Sequence, residues 1–129
     1  MSVRVVRLGT PRSKGEGLRL GTVRRPPRGV RKADFARRDY YDLWLPALSP
    51  SQPRVTQAMR QAWTGASWAR FKRGYKSEMR QPAAKQMLEL LARLSHQSDF
   101  SVGCYCEDEA RCHRSILREL LREAGAKLA

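Results

Sequence analysis

The residue types best suited to chemistry lie together in one short segment near the end of the chain. The segment holds all three cysteines, one of the two histidines, an arginine and a serine: Cys104, Cys106, Cys112, His113, Arg114 and Ser115. Thiols, an imidazole and a guanidinium serve as nucleophiles, metal ligands, proton carriers or anion-binding groups. The chemistry is therefore limited to a metal, a reactive thiol or a bound anion, and all three alternatives stay open.

The hydrophobic pattern places this segment between a strand and a helix. Residues 100–105 read as a strand, and apolar residues recur at helical spacing from about Cys112 to Ala124, where Gly125 ends the helix. Ligands of open α/β sheets bind at the carboxyl ends of strands, beside helix N-termini. The reactive side chains are thus predicted to converge at such an edge.

The first alternative is an anion site. The unpaired N–H groups of a helix's first turn, together with the helix dipole, favour a negative group. Arg114 supplies a guanidinium fork for a phosphate or carboxylate, and Ser115 supplies a hydroxyl. Without an anion, positive side chains in this turn would cost about 0.3–1 kcal/mol per charge.

The second alternative is a reactive thiol. Cys112 is predicted at the helix N-terminus beside His113, and both the dipole and a nearby positive charge lower the pKa of a thiol. Cys104 or Cys106 would then serve as the resolving partner. This interpretation predicts Cys112, His113 and Cys104 as the catalytic residues.

The third alternative is a metal site. Cys104, Cys106, Cys112 and His113 offer three sulfurs and one nitrogen, a permitted ligand set for zinc. Their spacing differs from that of zinc knuckles, and adjacent residues of a helix diverge by about 100°. The sequence therefore favours an anion or a thiol over a metal, and it predicts no cofactor. A purely structural role for buried cysteines is the remaining alternative.

The rest of the chain reads as short strands and amphipathic helices. Strands are predicted at residues 3–8, 18–23 and 40–45, and helices after residue 50, from about residue 67 and from about residue 82. The helical stripes, including Met59, Met79 and Leu88, are predicted to be core. The sequence predicts a small single α/β domain over residues 1–129, with a short, mainly parallel sheet flanked by helices.

A basic loop, Arg24–Gly29, follows the second predicted strand. If this strand neighbours the strand predicted at residues 100–105, the loop and the reactive segment share one pocket. Cys104 and Cys112 would form its base, and four basic side chains would surround it: Arg24, Arg28, His113 and Arg114. The predicted ligand-binding residues are accordingly Arg24, Arg28, Arg114 and Ser115, and the predicted partner is an anionic small molecule.

The charge of the chain points to a further alternative. The net charge is +14, and residues 1–32 carry ten basic side chains and one acidic side chain. Such a field attracts nucleic acid, so a nucleic-acid-binding module that uses the basic N-terminal third is an alternative function. The chain has no apolar run long enough to span a membrane, so no membrane partner and a cytoplasmic location are expected.

Four segments, in order, resemble a known family. They are residues 17–30, 42–51, 68–79 and the stretch from Cys104 to Leu117 with its Cys-His-Arg helix start. Together they are similar to the bacterial domain-of-unknown-function family 488, the YeaO-like group. Val23 and Pro26 stand where that family has an aspartate and a tryptophan, while Arg24 and Arg28 are retained. The resemblance implies a small cytoplasmic α/β protein of unassigned activity, with an arginine-dependent anion role at this loop.

Overall fold

A computed structural model describes residues 1–129 and shows one four-stranded sheet whose strand pairs are all parallel. The strands are β1 (Val3–Arg7), β2 (Leu18–Gly21), β3 (Leu43–Trp44) and β4 (Phe100–Cys104). Their spatial order is β1-β4-β2-β3, so the last strand in the sequence is central in the sheet and every one of its residues is buried. Because the strands are parallel, their carboxyl ends share one edge.

The register brings the two predicted functional segments together. β4 pairs with both β1 and β2, with Cys104 opposite Arg7 and Gly103 opposite Gly21. Thr22 continues the contact beyond β2, since its N–H and its Oγ1 both donate to the Gly103 carbonyl, at 3.0 and 2.9 Å. The basic loop and the cysteine segment therefore follow neighbouring strands at the same edge of the sheet. Neighbouring strands are the condition under which the sequence predicted a shared pocket.

Four α-helices accompany the sheet: α1 (Gln52–Arg60), α2 (Gly65–Glu78), α3 (Pro82–Leu94) and α4 (His113–Glu123). Three short 3-10 helices lie at Lys32–Asp34, Pro46–Leu48 and Glu109–Arg111. Three of the helices, α2, α3 and α4, bury apolar residues with the sheet in one cluster of 14 residues, which includes Val102 of β4 and Leu88, Ile116 and Leu117 of the helices. The predicted α/β class and the predicted parallel sheet are confirmed.

Two predicted boundaries differ for identifiable reasons. The strand predicted at residues 40–45 shrinks to Leu43–Trp44 because Asp42 takes a different role: its Oδ2 accepts the Arg19 N–H, at 2.8 Å, where a strand carbonyl would otherwise bind. The helix predicted from about residue 67 begins at Gly65, because Thr64 and Ser67 cap it reciprocally.

The prediction that Met59 belongs to the core is wrong. Met59 is 82% exposed, because α1 is a short surface helix in which no residue is fully buried. Met79 and Leu88, predicted by the same helical spacing, are buried. The spacing therefore located the helix correctly but could not tell how deeply that helix packs.

A buried ion pair, which the sequence did not reveal, joins β2 to the loop before it. Arg19 is fully buried, and its Nε and Nη2 donate to both carboxylate oxygens of Glu16, at 2.7 and 3.0 Å. Ser101 of β4 also donates to this carboxylate, at 2.8 Å. Burial raises the pKa of Glu16, but the hydrogen bonds from Arg19, Ser101 and Ser13 together lower it to about 2.

None of the four helices has the combination of length and apolar character that crossing a bilayer requires.

Candidate functional site

Three thiols converge at the carboxyl edge of the sheet. The Sγ atoms of Cys104, Cys106 and Cys112 all lie within 4.8 Å of one another, and the first two are 3.8 Å apart. Cys104 ends β4, Cys106 lies two residues beyond it, and Cys112 is the residue that precedes the first turn of α4. The strand end and the helix start thus deliver sulfurs to one point.

The loop between Cys106 and Cys112 is held by its own polar groups. The carboxylate of Asp108 accepts the Ala110 N–H at 3.0 Å and caps the 3-10 turn. Arg118 of α4 donates to both carboxylate oxygens of Glu109, at 3.1 and 2.8 Å. The acidic loop is therefore pinned to α4, which fixes Cys112 opposite the end of β4.

The thiols differ in their surroundings. Cys104 and Cys112 are buried, whereas Cys106 is exposed, and none forms a disulfide. Hydrogen bonding to the Cys106 and Cys112 sulfurs, reinforced by burial, raises the pKa of Cys104. The same contact with Cys104, the contact with Cys112 and the positive charge of Arg114 lower the pKa of Cys106. The cluster can therefore hold negative charge at its outer sulfur.

His113 is oriented by the loop after β2. Its Nε2 lies 2.7 Å from the Thr22 carbonyl, which can only accept, so Nε2 carries the proton. Nδ1 then presents a lone pair, at 3.9 Å from the Cys112 Sγ. The ring also packs edge-on against buried Tyr75, with centroids 5.4 Å apart. His113 is thus positioned to receive a proton from Cys112.

Arg114 and Ser115 donate hydrogen bonds to backbone carbonyls of the cysteine segment. Arg114 is only 3% exposed; its Nη2 donates to the Cys106 carbonyl at 2.6 Å, and its Nε has no partner. No carboxylate pairs with it. Ser115 donates its hydroxyl to the Cys112 carbonyl at 3.0 Å. Neither residue lines the cavity into which the three cysteines open, and their direct contact with a ligand stays a prediction.

A cavity of about 570 Å³ opens over the thiols. Cys104, Cys106, Cys112 and His113 form its polar base. Its other walls are largely apolar, with Val55, Met59, Trp63 and Phe71 among the lining residues. Four arginines also line it: Arg24, Arg25, Arg28 and Arg111. No aspartate or glutamate is among the lining residues, so no carboxylate balances the positive charge within the cavity.

The arginines of the cavity wall differ in the contacts that they form within the chain. Arg24 donates to the carbonyls of Pro50 and Pro46, at 3.1 and 3.2 Å, which ties the basic loop to the segment before α1. Arg111 lies over the Trp68 ring, 5.6 Å from its centroid. Arg28 is exposed and makes no hydrogen bond or ion pair within the chain. Arg28 and Arg111 therefore retain most of their donors for a ligand.

The structure brings together Arg24, Arg28, Cys104, Cys112 and His113 around one cavity, as their positions in the sequence predicted. The lining residues that sequence reasoning missed include Arg25, Arg111, Trp63 and Phe71. Arg25 and Arg111 had a signal, because each is adjacent to a predicted site residue. The two aromatic residues had none, since their helical spacing is that of ordinary core residues.

Comparison with protein families supports the resemblance that the sequence indicated. The family model DUF488-N3a, described as the active DUF488-N3 subclade, matches residues 3–125, which include the basic loop and all three cysteines. The chain belongs to this family, and the resemblance found in the sequence is confirmed. No curated protein and no solved structure gives a significant match to the chain.

Proposed function

We propose that the cavity binds a small molecule that carries a phosphate or a carboxylate on an apolar body. The observation that carries this proposal is the composition of the wall: four arginines and no carboxylate. Guanidinium groups that converge without a negative partner repel one another, and an anion removes this repulsion while it forms charge-assisted hydrogen bonds. The N-terminus of α4, which opens at the same place, favours the same sign of charge.

The size and the apolar wall narrow the class of ligand. A volume of about 570 Å³ is within the usual range for small-molecule sites, about 300–1,000 Å³. Trp63 and Phe71 offer aromatic surface within the same cavity. A nucleotide fits this description, because its base suits the aromatic wall and its phosphate suits the arginines.

The base of the cavity supplies the groups for a reaction. Cys112 is placed as a nucleophile and His113 as its base, because proton transfer from Sγ to Nδ1 leaves a thiolate beside an imidazolium. The pKa of Cys104 is raised by its contacts with the other two sulfurs and by burial, and its Sγ lies 3.8 Å from that of Cys106, so it is placed to donate a hydrogen bond to a thiolate there. An electrophilic centre of a ligand held by the arginines would lie next to these sulfurs.

Calorimetric titration of the full chain tests the binding proposal. The probes are inorganic phosphate, adenosine monophosphate, adenosine and succinate. We expect binding of the phosphate- or carboxylate-bearing probes and at least about tenfold weaker binding of adenosine, because a charge-assisted hydrogen bond contributes about 1.5–3 kcal/mol. Arg28→Ala should weaken binding of the anions by a similar factor.

Arg93→Ala is the matched control, because Arg93 is an exposed arginine of α3 outside the cavity wall and its loss removes the same charge. Equal effects of the two variants would contradict a specific site. Absence of binding for every anionic probe would contradict the proposal as a whole.

A second candidate function is nucleic-acid binding, favoured by the net charge of +14 and by the exposure of Arg25 and Arg28 at the cavity rim. The two functions differ in their dependence on salt. A polymer contacted at many phosphates loses affinity steeply as salt rises, whereas a single small anion in a built cavity loses little.

A further inference from the structure

We infer that Cys104, Cys106 and Cys112 together form a zinc site whose fourth coordination position opens into the cavity. Three sulfurs from a strand end, a loop and a helix start lie within 4.8 Å of one another. Hydrogen bonds between thiols are weak and do not account for such convergence. Thiolates are preferred ligands of zinc and of other soft or borderline metal ions.

The distance between two of the sulfurs matches tetrahedral zinc. Zn–S bonds of about 2.3 Å at tetrahedral angles place neighbouring sulfurs about 3.8 Å apart. The Cys104 and Cys106 Sγ atoms are 3.8 Å apart, so this edge of the tetrahedron is already formed. The Cys112 sulfur lies within 4.8 Å of both, so a shift of about 1 Å or less completes the face.

Arg114 provides an independent argument from charge. It is nine-tenths buried or more, forms no ion pair, and has an Nε without any partner, which is unfavourable for a guanidinium unless a negative group lies nearby. Three thiolates and one Zn²⁺ carry a net charge of −1, which this arginine balances. Its Nη2 also donates to the Cys106 carbonyl, so it positions a ligand residue from behind.

His113 does not complete the ligand set. Its Nε2 binds the Thr22 carbonyl at 2.7 Å, and neither ring nitrogen belongs to the group of atoms within 4.8 Å of one another. A site with four protein ligands is closed, whereas one with three keeps a position for water or substrate. All three cysteines line the cavity, as do the four arginines, so the fourth position would open towards the cavity. If the proposed anion binds there, which rests on the proposed function, it meets the ion directly.

Bound zinc would change the chemical role of the three sulfurs. Each thiol that still has its proton loses it to solvent on binding, and the three sulfurs then act as ligands and no longer as nucleophiles. Zinc would supply a Lewis acid at the open position, and His113 would line the same cavity beside it.

The first experiment measures metal on the full chain purified under reducing conditions. Elemental mass spectrometry should find about one zinc per chain, or about one after incubation with Zn²⁺ and gel filtration. Titration with Co²⁺ should produce a sulfur-to-cobalt charge-transfer band in the near ultraviolet, with saturation at one ion per chain. This spectrum reports thiolate ligands and does not depend on any catalytic activity.

Three variants identify the residues. Cys106→Ser should abolish the band without unfolding the chain, since Cys106 is exposed. Arg114→Gln should keep the shape of the band and weaken metal binding by about 10–100-fold, because it removes a partner behind the ligands. His96→Gln is the matched control: its Nε2 lies 2.8 Å from the Gly125 carbonyl, and it should bind as the wild type does.

The zinc site is overturned if the wild-type protein takes up no stoichiometric metal, if its cobalt spectrum lacks the thiolate band, or if Cys106→Ser binds like the wild type. Equal binding of Arg114→Gln and the wild type overturns the charge argument. Titration of metal-free protein with the anionic probes is read separately, so failure of the zinc site and failure of anion binding are distinguishable.

Discussion

At the residue scale, two buried arginines differ in which groups balance their positive charge. Arg19 is fully buried and satisfied, with a bidentate carboxylate and the carbonyls of Thr10 and Asp39 as acceptors, at 2.8 and 2.7 Å. Arg114 is almost as buried but has no carboxylate and one donor without a partner. The charge of Arg19 is balanced within the fold itself. The charge of Arg114 is not, and a neighbouring negatively charged centre would balance it.

The Glu16–Arg19 pair makes a prediction for acid stability. Because the folded-state pKa of Glu16 is lowered to about 2 from 4.5, its contribution is fully present above about pH 4.5 and is lost as pH falls towards 2. Glu16→Gln should therefore lower the free energy of unfolding by about 3 kcal/mol near pH 6, and by much less near pH 2. Urea unfolding at both pH values measures this.

The control for the acid prediction is Glu123→Gln, an exposed glutamate at the end of α4 that forms no ion pair. It should change the free energy of unfolding by less than about 0.5 kcal/mol at either pH. A Glu16→Gln effect that stays the same between pH 6 and pH 2 would show that ionisation of Glu16 does not stabilise the fold.

At the element scale, the position of β4 decides the site. It is flanked on both sides by parallel strands, and Gly103, one residue before Cys104, lies where both neighbours come close. A Cβ at this position would lie 2.7 Å from the Val6 carbonyl oxygen and 2.7 Å from a Leu8 methyl carbon. Backbone cannot move aside as a flexible side chain can, so this glycine allows the close packing that places the first thiol.

Gly103→Ala should accordingly destabilise the fold by about 1–3 kcal/mol, because overpacking displaces backbone in the centre of the sheet. Thermal and urea unfolding measure the loss. Gly65→Ala is the control: a Cβ there meets nothing within 4 Å, and the first turn of α2 gains helix propensity. A Gly103→Ala protein as stable as the Gly65→Ala protein would contradict the close packing of β4.

At the scale of the whole molecule, the charge is large and one-signed. Lys and Arg number 26 and Asp and Glu number 12, and the unpaired arginines of the cavity rim are part of this excess. Such a field draws anions of every size towards the cavity and raises their association rates at low salt. Attraction over the surface and selection within the cavity are therefore separate properties of the molecule.

Fluorescence anisotropy with labelled single-stranded and double-stranded DNA separates attraction over the surface from selection within the cavity. If nucleic acid is a physiological partner, affinity should fall about 10³-fold or more between 50 and 200 mM salt and remain measurable near 150 mM. Arg25→Ala should weaken DNA binding more than Arg93→Ala, which removes the same charge outside the rim. Absence of binding near 150 mM salt would remove nucleic acid as a partner.

The sequence predicted most of the fold because its signals are local. Helical spacing located α3 and α4, and glycine and proline marked their ends. Alternation and turn residues located β1, β2 and β4. Met59 and the shortened β3 are among the failures, because burial and strand length depend on distant partners such as the Asp42 carboxylate bound to Arg19.

The sequence by itself determined which reactive groups exist and that they follow a strand and open a helix, since these facts are properties of one short segment. Only the tertiary structure decided that the three sulfurs meet, that Arg111 and Trp63 join the cavity wall, and that Arg114 turns inward. The physical reason is distance along the chain: β2 and β4 pair across about 80 residues, and no local pattern encodes which side chains such a pairing brings together.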